Sequence, residues 1–172
     1  MRMIALALIV PLSTAAVPVA AQDRLGEIGA RIDDTFRTWH LTRKDGQSQS
    51  SWSEMAPGLI DVSLWGHATA DSTTSIKEAF LLDFGLLITG GTPQVTDPTL
   101  QYLENGYDGG WLALTPENLT MTIESATVNG TELTLRGSFT ATAQYSDKIM
   151  EQTVDPTRTL ALEGNFEVVL PQ

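Results

Sequence analysis

The most informative absence in this chain of 172 residues is that of cysteine. Without thiols the protein has no disulfide, no thiolate nucleophile, no thiolate ligand for zinc and no cysteine for lipid attachment. Histidine is nearly as scarce, because only His40 and His67 are present. The motifs of a serine-hydrolase elbow, a phosphate-binding loop and a zinc-protease helix are also missing. We therefore expect no catalytic residue, no metal ligand and no bound cofactor.

Positive charge is the second deficit. The chain has 10 lysines and arginines against 21 aspartates and glutamates, which gives a formal net charge of −11. An acidic surface repels phosphate backbones and anionic lipid headgroups. The composition therefore predicts neither a nucleic-acid partner nor a stable membrane anchor, and it favours solubility.

The amino-terminal segment carries the clearest signal that is present. Arg2 supplies one positive charge, residues 4–10 are an unbroken apolar run, and small residues follow up to Ala21. That order is typical of a secretory signal peptide. Prolines interrupt the stretch, so it does not supply the roughly 20 apolar residues of a membrane-spanning helix. We predict a signal peptide over residues 1–21, cleaved after Ala21, and one exported domain over residues 22–172. A cysteine-free exported chain fits the bacterial periplasm better than the extracellular space.

Alternation of apolar and polar residues dominates the rest of the chain. It is clearest in residues 131–146 and returns in residues 159–170. A period of two places one face of a strand on a core and the other in water. Short strands with regular turn signals predict an all-β fold, an antiparallel β-sandwich of about 8–10 strands with little helix. The alternative is a closed lipocalin-like β-barrel.

Two of the predicted strands share the motif Leu-x-Gly-x-Phe, at residues 135–139 and 162–166. A glycine in the middle of a strand normally weakens it, so each one is expected to make room for a bulky neighbour or to mark a bulge. We predict an aromatic ring packed over the bare backbone of Gly137 and of Gly164.

The hairpin around Gly130 allows a register to be predicted. A three-residue loop over residues 128–130 sets Ile123 opposite Leu135, whereas a two-residue loop sets Glu124 opposite Leu135. Because a slip of one residue sends every side chain to the other face, burial favours the longer loop, with Gly130 in the left-handed conformation.

Other segments are assigned from weaker patterns. Residues 75–88 alternate as a strand does but also carry a helical stripe and a capping box, and we favour the strand. The apolar spacing in residues 23–34 suits a short helix, although two glycines weaken it. Residues 35–55 resemble a hairpin. Residues 89–110 are rich in turn formers and predict a long surface excursion with a short strand near Leu100.

The outer face of one strand supplies the candidate binding residues. Alternation turns Asp61, Ser63, Trp65 and His67 away from the core side, and His40 likewise alternates outward. Two imidazoles and a carboxylate would suit zinc or copper if their strands were neighbours, but two surface histidines are the commoner arrangement. An exposed Trp65 would stack on a sugar or on a partner's side chain. Alternatively, both faces of the strand are covered and Trp65 is core.

These patterns predict a non-catalytic exported binding module, whose partner is an envelope polymer or a protein. The alternative is a lipocalin-like carrier of a small apolar ligand, which requires an empty interior lined by Phe80, Leu82, Phe84 and Phe139. An enzyme is less favoured. A serine triad can assemble from distant positions, but only two histidines are available as its base.

Overall fold

The chain folds almost entirely as antiparallel β-structure. The computed structural model describes residues 22–88 and 92–172, so the predicted signal peptide lies outside the described residues. The strands are β1 (Asp23–Ile32), β2 (Thr35–Arg43), β3 (Ser51–Ala56), β4 (Leu59–Gly66), β5 (Ala79–Leu87), β6 (Gln94–Leu103), β7 (Gly110–Ala113), β8 (Leu119–Asn129), β9 (Glu132–Lys148) and β10 (Thr153–Pro171). Two single-turn 3-10 helices, Gly106–Asp108 and Ile149–Glu151, are the helical elements of this part of the chain. The predicted all-β antiparallel fold with little helix is confirmed. None of the described helices is long and apolar enough to cross a membrane.

All ten strands belong to one hydrogen-bonded sheet. Its order is β2-β1-β10-β9-β7-β6-β5-β4-β3, and β8 pairs with β9. One edge of β9 is occupied by β10, and the other edge is shared by β7 and β8. The sheet curls into a half-barrel until β2 approaches the end of β4, where the backbones of His40 and His67 pair. The two layers that face each other across the core are therefore parts of a single sheet.

Aromatic rings fill the space that the curled sheet encloses. The ring centroids of Trp39 and Phe80 lie 4.7 Å apart, and those of Trp39 and Tyr102 lie 5.7 Å apart in an edge-on arrangement. Phe139 extends the cluster from the opposite layer, 5.6 Å from Phe80. Tilted and edge-on contacts of this kind stabilise a core beyond the area they bury.

The two Leu-x-Gly-x-Phe motifs pair with each other. In the β9–β10 ladder Gly137 lies opposite Phe166 and Gly164 lies opposite Phe139. A Cβ added at Gly137 would lie 2.7 Å from Cζ of Phe166, and one added at Gly164 would lie 2.6 Å from Cζ of Phe139. Each ring covers the other motif's glycine, which confirms the predicted packing.

The predicted β8–β9 register is wrong, by two residues at Ile123 and by three residues between there and the turn. Ile123 pairs with Gly137 instead of Leu135, and Leu135 faces Ala126. The turn is shorter than expected, since Asn129 already pairs with Glu132, and an irregularity between Ile123 and Ser125 restores the buried face. The left-handed Gly130 is confirmed, with a φ of 62°.

Two other assignments need correction. Residues 23–32 form β1 and not a helix, because the strand pairs with both β2 and β10. The predicted excursion over residues 89–110 contains the ten-residue strand β6. Pro98 is tolerated there because β6 pairs with β7 only from Leu100 onward.

The predicted hairpin over residues 35–55 is also wrong, because β3 pairs with β4 and not with β2. Only the turn itself forms, through reciprocal backbone hydrogen bonds between Lys44 and Gln47, both 2.9 Å long. The strand predicted within residues 75–88 is present as β5.

Candidate binding site

The two histidines meet where the curled sheet closes. The backbone N–H of His40 donates to the carbonyl oxygen of His67 at 2.8 Å, and the reverse bond is 2.9 Å long. Residues directly opposite each other in an antiparallel pair project to the same face, so both imidazoles lie on the outer face of the sheet. The condition that the sequence left open, that their strands be neighbours, is met.

His67 is nevertheless inaccessible, because residues 68–78, which we call the strap, cross over it. Only 2% of His67 is exposed. Its Nδ1 lies 3.0 Å from the carbonyl oxygen of Ser75. A carbonyl only accepts, so Nδ1 carries the proton in the neutral imidazole. The hydroxyl of Thr42 donates to the carbonyl of Ser72 at 2.7 Å and fixes the strap at a second point.

Burial lowers the pKa of His67 below its ordinary value of 6.5, and the hydrogen bond to Ser75 only partly opposes that shift. The folded state therefore takes up a proton less readily than the unfolded chain. The neutral imidazole of His67 therefore contributes fully to stability above about pH 6.5. This contribution is lost as the pH falls from there toward the folded-state pKa of His67. We expect the midpoint of thermal unfolding to fall across this mildly acidic range.

The variant His67→Asn provides the comparison, because its amide can still donate to Ser75 but does not titrate. Thermal unfolding of both proteins is followed by circular dichroism as a function of pH. The variant should lose less stability than the parent below pH 6.5. If the stabilities of the two proteins fell in parallel with pH, the pKa of His67 would have to be the same in the folded and unfolded states.

Trp65 belongs to a second apolar cluster on the outer face of the sheet. Its ring packs against Leu81, Leu103, Leu112 and Ile149 and is half-buried. At this end of β4 both faces of the strand are therefore covered, and the ring of Trp65 is not exposed as a free stacking surface. The indole Nε1 is buried without a hydrogen-bond partner among the described residues, as is Nδ1 of His40.

Asp61 and Ser63 form a separate polar patch further along β4. The hydroxyl of Ser63 donates to Oδ1 of Asp83 at 2.6 Å. Burial raises the pKa of Asp83, the hydrogen bond from Ser63 lowers it, and the nearby Asp61 raises it further. Asp61 itself is exposed. Within residues 22–88 and 92–172, no three His, Asp or Glu side chains gather closely enough to hold a metal ion, so Asp61 does not join the histidines.

The five predicted residues are therefore distributed over three environments on one outer face. His40 and His67 pair beneath the strap, Trp65 packs in the outer apolar cluster, and Asp61 and Ser63 line a polar patch. Their joint role in binding stays a prediction.

A groove that the sequence did not single out lies beside the strap. We call it the polar groove; it has a volume of about 610 Å³ and is lined by residues 44–51, Thr73, Thr74, Pro171 and Gln172. Eight of the twelve residues that line it are serine, threonine or glutamine, and Lys44 and Asp45 are its charged members. The only sequence signal for it was the unbroken run of small and polar residues from Lys44 to Ser51.

Two of the five predicted residues, Trp65 and His67, hold the walls of this groove in place. The hydroxyl of Ser50 donates to the carbonyl of Trp65 at 3.2 Å and accepts its N–H at 2.8 Å, which fixes the β2–β3 connection. His67 anchors the strap through Ser75, two residues from Thr73 and one from Thr74. The outer face of β4 thus positions the groove without lining it.

Comparison with protein-family models, with curated proteins and with solved structures finds no match for this chain.

Proposed function

We propose that this protein is a non-catalytic binding module of the cell envelope, exported by its amino-terminal segment, and that the polar groove binds a neutral, hydroxyl-rich polymer such as a polysaccharide. The observation that carries the proposal is the groove's chemistry. Hydroxyl and amide groups line a concave space of about 610 Å³, which lies within the usual range of ligand sites. A protein partner is the alternative occupant.

The lining favours hydrogen bonding over catalysis. Serine, threonine and glutamine side chains both donate and accept hydrogen bonds, as the hydroxyls of a sugar do. Neither histidine lines the groove, so the groove has no imidazole to act as a general base. The net charge of −11 also disfavours an anionic polymer.

The alternative function, a carrier of a small apolar ligand, is less well supported. The four residues expected to line its cavity, Phe80, Leu82, Phe84 and Phe139, are all at most 2% exposed within the main core. Phe80 contacts Phe139, and Phe84 contacts Phe166 at a centroid distance of 6.1 Å. Rings in mutual contact fill the space that such a ligand would occupy.

Binding is tested with protein purified from the periplasmic fraction, whose intact mass should correspond to a chain beginning at Gln22. A panel of immobilised neutral polysaccharides and isolated cell-wall polymer is the probe. The double variant Gln49→Ala, Thr74→Ala should bind about thirtyfold more weakly, because each of the two lost hydrogen bonds contributes about 1 kcal/mol.

The matched control is Gln94→Ala with Thr140→Ala, which removes the same two side-chain types from exposed strand positions. It should bind as the parent does. Failure of the parent to bind any polymer would overturn the proposal. Equal binding by the groove variant and the parent would overturn the assignment to this groove. If the parent and the control variant captured a protein that the groove variant did not capture, a protein partner would be favoured over a polymer.

A further inference from the structure

Two of the four asparagines in the chain are followed by glycine, Asn105 and Asn129. An asparagine side chain can cyclise onto the nitrogen of the next residue, and glycine there offers the least steric hindrance and the freest backbone. The other two asparagines precede Leu119 and Phe166, whose side chains obstruct the approach. The two Asn-Gly pairs are therefore the reactive ones, and the fold places them in contrasting environments.

Asn129 lies at the exposed tip of the β8–β9 hairpin. Gly130 has a left-handed φ of 62°, and a Cβ built on it would meet no atom within 4 Å. Asn129 itself pairs with Glu132 as the last residue pair of the ladder, but the peptide that follows it lies in the turn, where the space beside Gly130 is open for rotation. Such freedom lets the side-chain carbon and the backbone nitrogen approach, and intramolecular reactions are fast when the groups can reach each other.

Asn105 is held more firmly. Its backbone N–H donates to the carbonyl of Gly109 at 2.9 Å. Gly106 is buried, and Ile76 lies 3.5 Å from the position that a Cβ on this glycine would take. Rotation of this peptide would disturb that packing, so the same dipeptide is protected here.

We propose that Asn129 is a site of spontaneous conversion to isoaspartate in the folded protein, and that Asn105 is not. The backbone nitrogen of Gly130 loses its proton and attacks Cγ of Asn129, forming a carbon–nitrogen bond while the side-chain amide leaves as ammonia. Water then opens the cyclic imide at one of its two carbonyls and yields aspartate or isoaspartate. Nothing is oxidised or reduced, and water is the only co-reactant.

The consequence reaches the carboxyl end of the chain. The carbonyl oxygen of Thr131 accepts the backbone N–H of Gln172 at 2.8 Å and the indole N–H of Trp52 at 3.3 Å. Isoaspartate lengthens the backbone by one carbon just before this turn, which displaces the carbonyl. Because Gln172 lines the polar groove, any effect on ligand binding rests on the proposed function, whereas the modification itself does not.

The test is to incubate the folded protein at mildly alkaline pH, which promotes loss of the glycine proton, and to map isoaspartate by proteolysis and fragmentation mass spectrometry. Isoaspartate should accumulate several-fold faster at position 129 than at position 105. In a strong denaturant the two positions should convert at comparable rates, because the fold no longer separates them. Equal or faster conversion at position 105 in the folded protein, or none at position 129, would overturn the proposal.

Hydrogen exchange at the carboxyl end provides the structural readout. The aged protein should exchange the amide of Gln172 faster than the variant Asn129→Asp, which adds the same charge without the extra backbone carbon. Equal exchange in the two would overturn the link between the hairpin tip and the carboxyl end. Neither readout requires a ligand, so failure of the polysaccharide experiment leaves both interpretable.

Discussion

Replacing Trp39 by alanine should lower the free energy of unfolding by about 3–5 kcal/mol, the usual cost of truncating a large buried aromatic side chain. The ring is 1% exposed and contacts both Phe80 and Tyr102. Its Nε1 donates to the carbonyl of Glu78 at 2.7 Å. Since Glu78 ends the strap, the substitution removes core packing and one attachment of the strap together.

The variant Trp39→Phe separates these two contributions. It retains an aromatic ring but lacks the N–H donor, so it should lose only about 1–2 kcal/mol from the missing hydrogen bond and the smaller ring. Urea unfolding of the parent and both variants, followed by far-ultraviolet circular dichroism, gives the free energies. A loss below about 1 kcal/mol for Trp39→Ala would mean that the ring does not pack as the structure shows.

Local pattern predicted the strand content well because a period of two depends only on which side of the sheet is buried. The alternation in residues 131–146 and 159–170 became β9 and β10 without change of face. Mid-strand glycines were also informative, because the bare backbone of a glycine in a strand needs a bulky neighbour to fill the space. The motif could not reveal that the two copies cover each other.

Register and connectivity could not be read from the sequence with the same success. The irregularity beside Glu124 shifts the β8–β9 pairing. Whether such an irregularity stabilises or destabilises the fold depends on the packing of the neighbouring strands. Apolar spacing in residues 23–34 suited a helix because a strand buried between two others also contains closely spaced apolar residues. Pairing partners outweigh local propensity in both cases.

The candidate site shows the same limit. Alternation placed Asp61, Ser63, Trp65 and His67 on the outer face of one strand, and the structure agrees. It could not show that a strap covers His67 or that a second apolar cluster covers Trp65, because both depend on chain segments that return to that face. The polar groove joins the β2–β3 connection, the strap and the carboxyl end. Residues so far apart in the chain share no local pattern.

Replacing Gly164 by alanine should cost about 1–3 kcal/mol, the usual penalty for adding a methyl group to a filled core. The new Cβ would lie 2.4 Å from the carbonyl oxygen of Gly29, 2.6 Å from Cζ of Phe139 and 2.9 Å from Cβ of Ala30. Moving the ring of Phe139 relieves only part of the clash, because the backbone of β1 cannot withdraw without loosening the β1–β10 ladder. Gly137→Ala should behave similarly, against Cζ of Phe166.

Double-mutant cycles distinguish ring contact from a general intolerance of alanine in these strands. Combining Gly164→Ala with Phe139→Leu should cost less than the sum of the single losses, with a coupling of about 0.5 kcal/mol or more. Combining Gly164→Ala with Phe166→Leu pairs the glycine with the ring of its own motif, which covers Gly137 instead, and should be closer to additive. If both cycles were additive in urea unfolding, the reciprocal covering of glycine by phenylalanine would not hold. In the first cycle, Phe139→Leu should recover only part of the free energy of unfolding that Gly164→Ala loses. Shortening Phe139 leaves the carbonyl of Gly29 where it is.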